Sequence, residues 1–350
     1  MKKKRNIILV VVLLILVLIF GGLCLVVNNK DTKDDLKQQE PNVEKNDTQP
    51  EEKKVQIIDT GSNERPYAVM INTHNAALPQ SGLQNAYIVY ELMVEGGITR
   101  MMALFKGKDV DRIGSVRSAR MQYLGYVYEN DAIYMHAGGA KDALNKISNE
   151  GINHIDVDGQ YGFRDTGLNR AWEHTLFTST NLIKQGISNM GFRTTTDSGN
   201  LLTYQVDSLN LDEYQNKTIA NNISIKYSYY RTSQYNYDSN SKTYLRSMND
   251  NPNNDLVTGE QYKVKNIIVY GLDYTEYQQG SNTKYQKINN IGTGEGYYIT
   301  EGYAIPIIWS KDSEKSQTKY KVKETGKDLI VNDGNTYIQI YPTSGNLTIN

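Results

Sequence analysis

The chain has 350 residues, 38 Lys and Arg against 39 Asp and Glu, and a formal net charge of -1 at pH 7. That balance excludes the broad basic field of a nucleic-acid-binding protein and the like-charge excess of an acidic tail, so a partner must be recognised by a local patch. Hydrophobic content of 39% over this length supports two ordinary domains with packed cores, and the one cysteine, Cys24, excludes an intrachain disulfide framework or a zinc-thiolate cluster.

Residues 1–6 are basic and precede an unbroken apolar run from Ile7 to Val27. At about 1.5 Å per residue this run spans roughly 30 Å, the thickness of bilayer hydrocarbon, and it reads as a transmembrane anchor. The preceding Lys and Arg residues place the amino terminus in the cytoplasm and the rest outside. Lipidation of Cys24 and cleavage of the segment as a signal peptide are the rival readings. Residues 28–54 carry no aromatic residue and few aliphatics, so they read as a disordered tether.

Ordered sequence begins near Val55. Tyr67–Asn72 reads as a strand, and Val89–Phe105 as a hairpin about a Gly96-Gly97 turn. A two-residue turn sets Met93 opposite Arg100 and Glu91 opposite Met102. One face then carries Tyr90, Leu92, Val94, Met101, Ala103 and Phe105, and the other carries Glu91, Glu95 and Arg100. A helix is predicted over Ser118–Tyr128 with Ser115 or Ser118 as its cap, putting Arg117 and Arg120 in its first turn, where cations oppose the helix dipole and call for a nearby anion. Ala132–Ala137 reads as a strand, and Gly138-Gly139 before a helix over Lys141–Asn149 as a candidate anion nest. A polar loop over Gly159–Thr175 leads to a helix capped by Thr178-Ser-Thr and stopped at Gly191.

From about Thr203 the texture becomes short Tyr-, Asn- and Thr-rich strands. Candidates are Ser224–Arg231, Thr243–Met248, Val264–Tyr270, Gly296–Trp309, Thr318–Glu324 and Thr336–Tyr341, with hairpin turns at Glu301-Gly302 and Asp333-Gly334. Gly292-Thr-Gly-Glu-Gly296 reads as a turn. The 27 tyrosines suit half-exposed strands. The expected fold is α+β, a layered sheet-and-helix domain over 55–200 followed by an antiparallel β-rich domain over 201–350.

The words Arg65-Pro-Tyr-Ala-Val-Met-Ile-Asn, Pro79-Gln-Ser-Gly-Leu, Glu95-Gly-Gly-Ile-Thr-Arg, Gly114-Ser-Val-Arg-Ser-Ala-Arg and His136-Ala-Gly-Gly occur in that order. With Tyr237-Asp-Ser-Asn-Ser-Lys-Thr-Tyr-Leu-Arg246, Val264-Lys-Asn-Ile-Ile-Val-Tyr and Asp333-Gly-Asn-Thr-Tyr-Ile further on, the chain resembles the YerB-like family over roughly residues 65 to 345. That resemblance implies an extracytoplasmic, lipoprotein-like protein of a Gram-positive-type envelope, with two domains of unknown function and no established activity.

Two functional readings follow. Arg100, Arg117 and Arg120 can clamp a carboxylate or phosphate, because guanidinium forks bind such groups bidentately. The protein is then a binder of an anionic wall component or of a wall-synthesis partner. Alternatively, Glu91 or Glu95 works with His136 or His174 in a cell-wall hydrolase. No cofactor motif is present, and the four histidines show no close spacing of the kind that ligates a metal.

Overall fold

The computed structural model describes residues 54–350 except Ser281, and residues 53–350 form one compact unit. The anchor expected over 7–27, Cys24 and nearly all of the tether lie outside the described residues. Among the described residues no helix is long and apolar enough to cross a membrane.

The first half contributes β1 (Tyr67–Asn72), β2 (Ile88–Met93), β3 (Thr99–Phe105), α1 (Met121–Glu129), β4 (Ile133–His136), α2 (Lys141–Asn149), β5 (His154–Asp156) and α3 (Thr180–Asn189). In the second half lie β6 (Asn222–Lys226), β7 (Thr232–Asp238), β8 (Thr243–Met248), β9 (Asn266–Leu272), β10 (Gly292–Thr300), β11 (Tyr303–Lys311) and β12 (Thr336–Pro342), among shorter strands. The expected α+β class is the observed one. The two halves, however, share an eleven-stranded sheet in which β11-β10-β9-β12 continues directly into β2-β3-β1-β4-β5. Strand β12 pairs in parallel with β9 on one side and β2 on the other. Central strands covered on both faces read as near-continuous apolar runs, and Thr336–Pro342 is buried at six of its seven positions.

One apolar cluster packs α1 and α2 on one face of this sheet, through Tyr123, Leu124, Val127, Ala143 and Ile147. The other face is covered by Ile183 and Ile187 of α3 and by a second, six-stranded sheet, which inserts Ile223, Ile225, Tyr235 and Tyr244. This two-sided burial corrects the expectation for the tyrosines. Of the 27, only Tyr229 and Tyr230 are exposed. The others are buried or half-buried, with Tyr90, Tyr123, Tyr126, Tyr134 and Tyr235 closed off entirely. Ring area stabilises the interior here, and a hydroxyl such as that of Tyr90, which donates to Glu129 Oε1 at 2.6 Å, finds an internal acceptor.

The hairpin register also differs from expectation. The connection is a three-residue loop, Glu95–Gly97, closed by the Val94 N–H donating to the Ile98 carbonyl at 2.8 Å. Gly96 and Gly97 both take the left-handed conformation, φ 71° and 69°, that side chains resist. Leu92 therefore faces Arg100, and Glu91 faces Met101. A one-residue slip turns every side chain of a strand to the other face. Glu91 thus shares a face with Met101, Ala103 and Phe105, while Arg100 shares one with Leu92 and Met102.

In the second half, Glu301-Gly302 is the expected hairpin turn, joining Thr300 to Tyr303. Asp333-Gly334 is not a hairpin, because Ile330–Asn332 pairs with Thr203–Gln205 whereas β12 joins the large sheet. Its Asp333 carboxylate instead accepts from the Gln56 and Ile57 amides. Gly292–Gly296 is strand rather than turn, and a Cβ on Gly294 would lie 2.7 Å from Trp309 Nε1. That glycine makes room for an indole.

Candidate functional site

Strands β1 and β4 run parallel from Tyr67 and Ile133 as far as Val69 and Met135. Beyond that point the segment Ser115–Arg120 is wedged between their carboxyl ends. The Asn72 amide donates to the Ser115 carbonyl (2.9 Å), Arg117 N–H to Met70 (2.9 Å), Ala137 N–H to Arg117 (3.1 Å) and Ala119 N–H to Gly138 (2.9 Å). The carboxyl ends of parallel strands are where open α/β sheets place ligand contacts. The same bonds explain why α1 starts at Met121 rather than Ser118. The backbone of Arg117 and Ala119 is spent on bridging two strands, so Arg120 is the N-cap and Arg117 precedes the helix.

The hairpin loop brings Glu95 to two of the three predicted arginines. Glu95 Oε1 accepts from Arg100 Nη2 at 3.0 Å and from Arg120 Nη2, and Oε2 accepts from Arg120 Nε at 2.8 Å. Burial alone would raise the Glu95 pKa, but the Arg120 hydrogen bonds and the charges of Arg100 and Arg120 outweigh it and hold the carboxyl at about 2. Arg100 also donates to the Ser118 carbonyl at 2.6 Å, and Arg120 to the Ala119 carbonyl at 2.8 Å. Burial, with Arg120 close by, pulls the Arg100 guanidinium down to about 10.

Arg117 is different. It is half-buried, and among the described residues its one side-chain hydrogen bond is a long 3.4 Å contact from Nη1 to the Glu173 carbonyl. Burial lowers its pKa, partly offset by the Glu173 carboxylate. Of the three guanidinium groups, Arg117 has the fewest partners and so the most donors to spare.

The four histidines form two stacked pairs that spacing in the sequence concealed. His74 and His174 stack with centroids 5.0 Å apart, and His136 and His154 with centroids 5.1 Å apart. The Asn72 amide donates to His174 Nδ1 at 2.9 Å, and that amide is oriented by its oxygen accepting from the His74 N–H at 3.0 Å. His136 Nδ1 donates to the Gly138 carbonyl (2.9 Å), so its Nε2 accepts from His154 Nδ1 (3.0 Å). Burial, reinforced by the neighbouring His154, lowers His136 to about 4. Among the described residues no group of three or more His, Cys, Asp and Glu is placed to hold a metal ion.

The predicted anion nest is filled by the chain itself. The Gly138 N–H donates to Asp156 Oδ2 at 3.0 Å, and at the start of α2 the Asp142 amide donates to Gln279 Oε1.

Glu91 lies apart from the arginine cluster, with 0% exposure. Its carboxylate accepts from Thr99 Oγ1 (2.7 Å), Ser233 Oγ (3.0 Å) and Arg246 Nη2 (3.0 Å), two of them from the second sheet. The acid-base constellation of the hydrolase reading is not assembled: Glu91 is enclosed, Glu95 is bound by two guanidiniums, and the hydrogen bonds of neither carboxylate reach a histidine. Sequence reasoning missed Arg246 and Asn72. Arg246 carried a signal, since it stands at an inward position between Tyr244 and Met248 of a strand with strictly alternating burial.

A two-sided α+β sheet with an arginine cluster at its parallel strand ends defines the class. Residues 55–193 match the model described as "Protein of unknown function (DUF3048) N-terminal domain", and residues 223–338 match its C-terminal domain. A Bacillus subtilis (strain 168) protein named "Putative lipoprotein YerB" is 30% identical over 284 residues, covering 79% of this chain and 81% of that protein. The crystal structure of YerB from Bacillus subtilis superposes with a TM-score of 0.69 at 26% identity, over 81% of this chain and 94% of that one. The chain belongs to this YerB-like family of two-part proteins of unknown function.

Proposed function

We propose that the protein is an envelope protein of a Gram-positive-type cell that binds an anionic wall component or a wall-synthesis partner through Arg117, backed by Arg100 and Arg120. Residues 7–27 anchor it as a single-pass protein, residues 1–6 face the cytoplasm, and the folded unit stands outside the membrane. The lipoprotein designation of its relative supports the location.

The observation that carries the binding reading is the asymmetry among the arginines. Arg100 and Arg120 are held by Glu95 and by carbonyls, which fixes their positions, whereas Arg117 stands beside them with more unused donors. An incoming carboxylate or phosphate gains a charge-assisted, bidentate contact there and displaces no internal partner stronger than a 3.4 Å bond.

The test is retention of the full chain on purified wall material across a salt series. Retention should weaken steeply as salt rises and drop in Arg117→Ala and Arg120→Ala. Unchanged retention in both variants, with normal thermal unfolding, overturns the reading. Protease added to intact cells should remove the folded unit, and protection would reverse the orientation.

A further inference from the structure

Among the described residues most large aromatic side chains are sequestered, and the three most exposed lie along one rim. Tyr229 is 88% exposed, Tyr230 64% and Trp172 63%. Starting from Glu95, the rim runs through the hairpin loop to Gly97, whose carbonyl accepts from Ser228 Oγ at 2.5 Å. Tyr229 and Tyr230 follow, and then Arg231, whose Nη2 donates to the Thr73 carbonyl at 2.8 Å. Thr73 adjoins His74, which stacks on His174. Trp172 and Glu173 precede His174, and the Glu173 carbonyl takes Arg117. The circuit closes where Arg117 sits beside the Glu95 group.

The segments that carry these rings are tied down. Ser228 Oγ also accepts from the Tyr230 N–H at 2.9 Å, Asn249 Nδ2 donates to the Tyr230 carbonyl at 2.9 Å, and the two tyrosine rings meet edge to face at 5.2 Å. Trp172 lies 4.2 Å under the Arg164 guanidinium, which is tied to the Trp172 carbonyl (2.6 Å) and to Asp158 (2.6 Å). Adding a Cβ at Gly97 would bring it within 3.3 Å of the Tyr230 ring. An exposed ring that is held rigid loses little entropy when something stacks on it.

From this arrangement we infer that the ligand is an anionic glycan, a polymer whose sugar rings lie on Tyr229, Tyr230 and Trp172 while its phosphate or carboxylate meets Arg117. The inference rests on the anion-binding reading above and adds the saccharide. The geometry favours a glycan over a protein. The rings are separate platforms interrupted by Ser228, Asn75, Glu173 and Arg164, whereas the core of a protein interface needs contiguous apolar area. A pyranose offers a small C–H face for each platform and hydroxyls for the polar groups between them, and the negative ring face attracts those C–H groups.

The experiment uses the full chain purified in detergent and four polymers: a glycosylated polyol-phosphate, polygalacturonate, inorganic polyphosphate and neutral dextran. The expected result is tight binding of one or both charged glycans, weaker binding of polyphosphate, and none of dextran; which charged glycan wins identifies phosphate or carboxylate as the anion. Tyr229→Ala/Tyr230→Ala and Trp172→Ala should each weaken glycan binding roughly tenfold and leave polyphosphate binding unchanged. Arg117→Ala should abolish both. If polyphosphate binds as tightly as the glycans and the aromatic variants change nothing, the glycan inference falls and the anion reading stands. If Arg117→Ala changes nothing while the aromatic variants do, the anion reading falls. Failure of all four polymers to bind overturns the proposal.

Discussion

Glu91 and Arg246 stand 155 positions apart and close a 3.0 Å ion pair in which neither side chain reaches solvent. The pair joins the large sheet to the second one. Burial works against the Arg246 charge, but the facing Glu91 more than compensates and holds the guanidinium above its usual pKa. Removing one member leaves the other charged and buried without the counter-charge it faces. Arg246→Met should therefore cost about 3–5 kcal/mol, while Glu91→Leu combined with Arg246→Met should cost clearly less than either single change. Urea unfolding midpoints at constant slope are the check. A double variant as weak as the singles would mean that shape, rather than the uncompensated charge, sets the cost.

A second buried pair, Lys311 with Glu129 at 2.6 Å, joins the halves on the opposite face of the sheet. Together with the β2–β12 pairing it makes each half incomplete alone. Residues 55–200 and 201–350 produced separately should each lack a cooperative unfolding transition, and mixing them should restore one. A sharp transition in either half alone would show that the shared sheet is dispensable.

Glu95 gives the arginine cluster a pH dependence of defined sign. Its pKa falls from 4.5 in the ordinary state to about 2 in the folded one. The stability it contributes is fully present above about pH 5 and lost as pH falls through 2, a difference of roughly 3 kcal/mol. Glu95→Gln should be weaker than the parent at pH 6, and the gap should close by about that amount at pH 2. Parallel stability curves across this range would sink the assignment.

His136 should titrate near 4 in a histidine NMR experiment, below its ordinary 6.5, because burial and then the His154 charge oppose protonation. In His154→Asn the value should rise only part of the way back, since burial, the larger cause, remains. Full recovery would make the neighbouring charge the dominant influence.

Most elements of the first half were legible because each carried its own punctuation. Ser179 caps α3 by accepting from the Leu182 N–H at 3.2 Å, and Gly191 at φ 65° ends it, where the sequence placed both. The pairing of Glu95 with Arg100 was legible too. What misled was the period-two argument in the hairpin. It assumes one wet face, and β2 and β3 have none, so apolar residues at both parities could not report the register. Strand β7 was overlooked for the opposite reason. Thr-Ser-Gln-Tyr-Asn-Tyr-Asp hides an alternation in which only Ser233 and Tyr235 are fully buried. The histidine pairs were invisible because strands β4 and β5, eighteen positions apart at His136 and His154, meet only in space.

Strand β12 occupies a slot between β2 and β9, and that placement dictates an order of events. Some 250 positions separate β2 from the strand that fills its open side. Until Thr336–Pro342 is available, two central strands present raw edges, with every other amide and carbonyl along them unpaired, next to apolar surface on both faces. Such edges recruit whatever extended chain is nearest. A newly made copy is therefore at its most adhesive just before its last long strand arrives, and a chain cut short ahead of residue 336 should accumulate as aggregate rather than as a smaller folded protein.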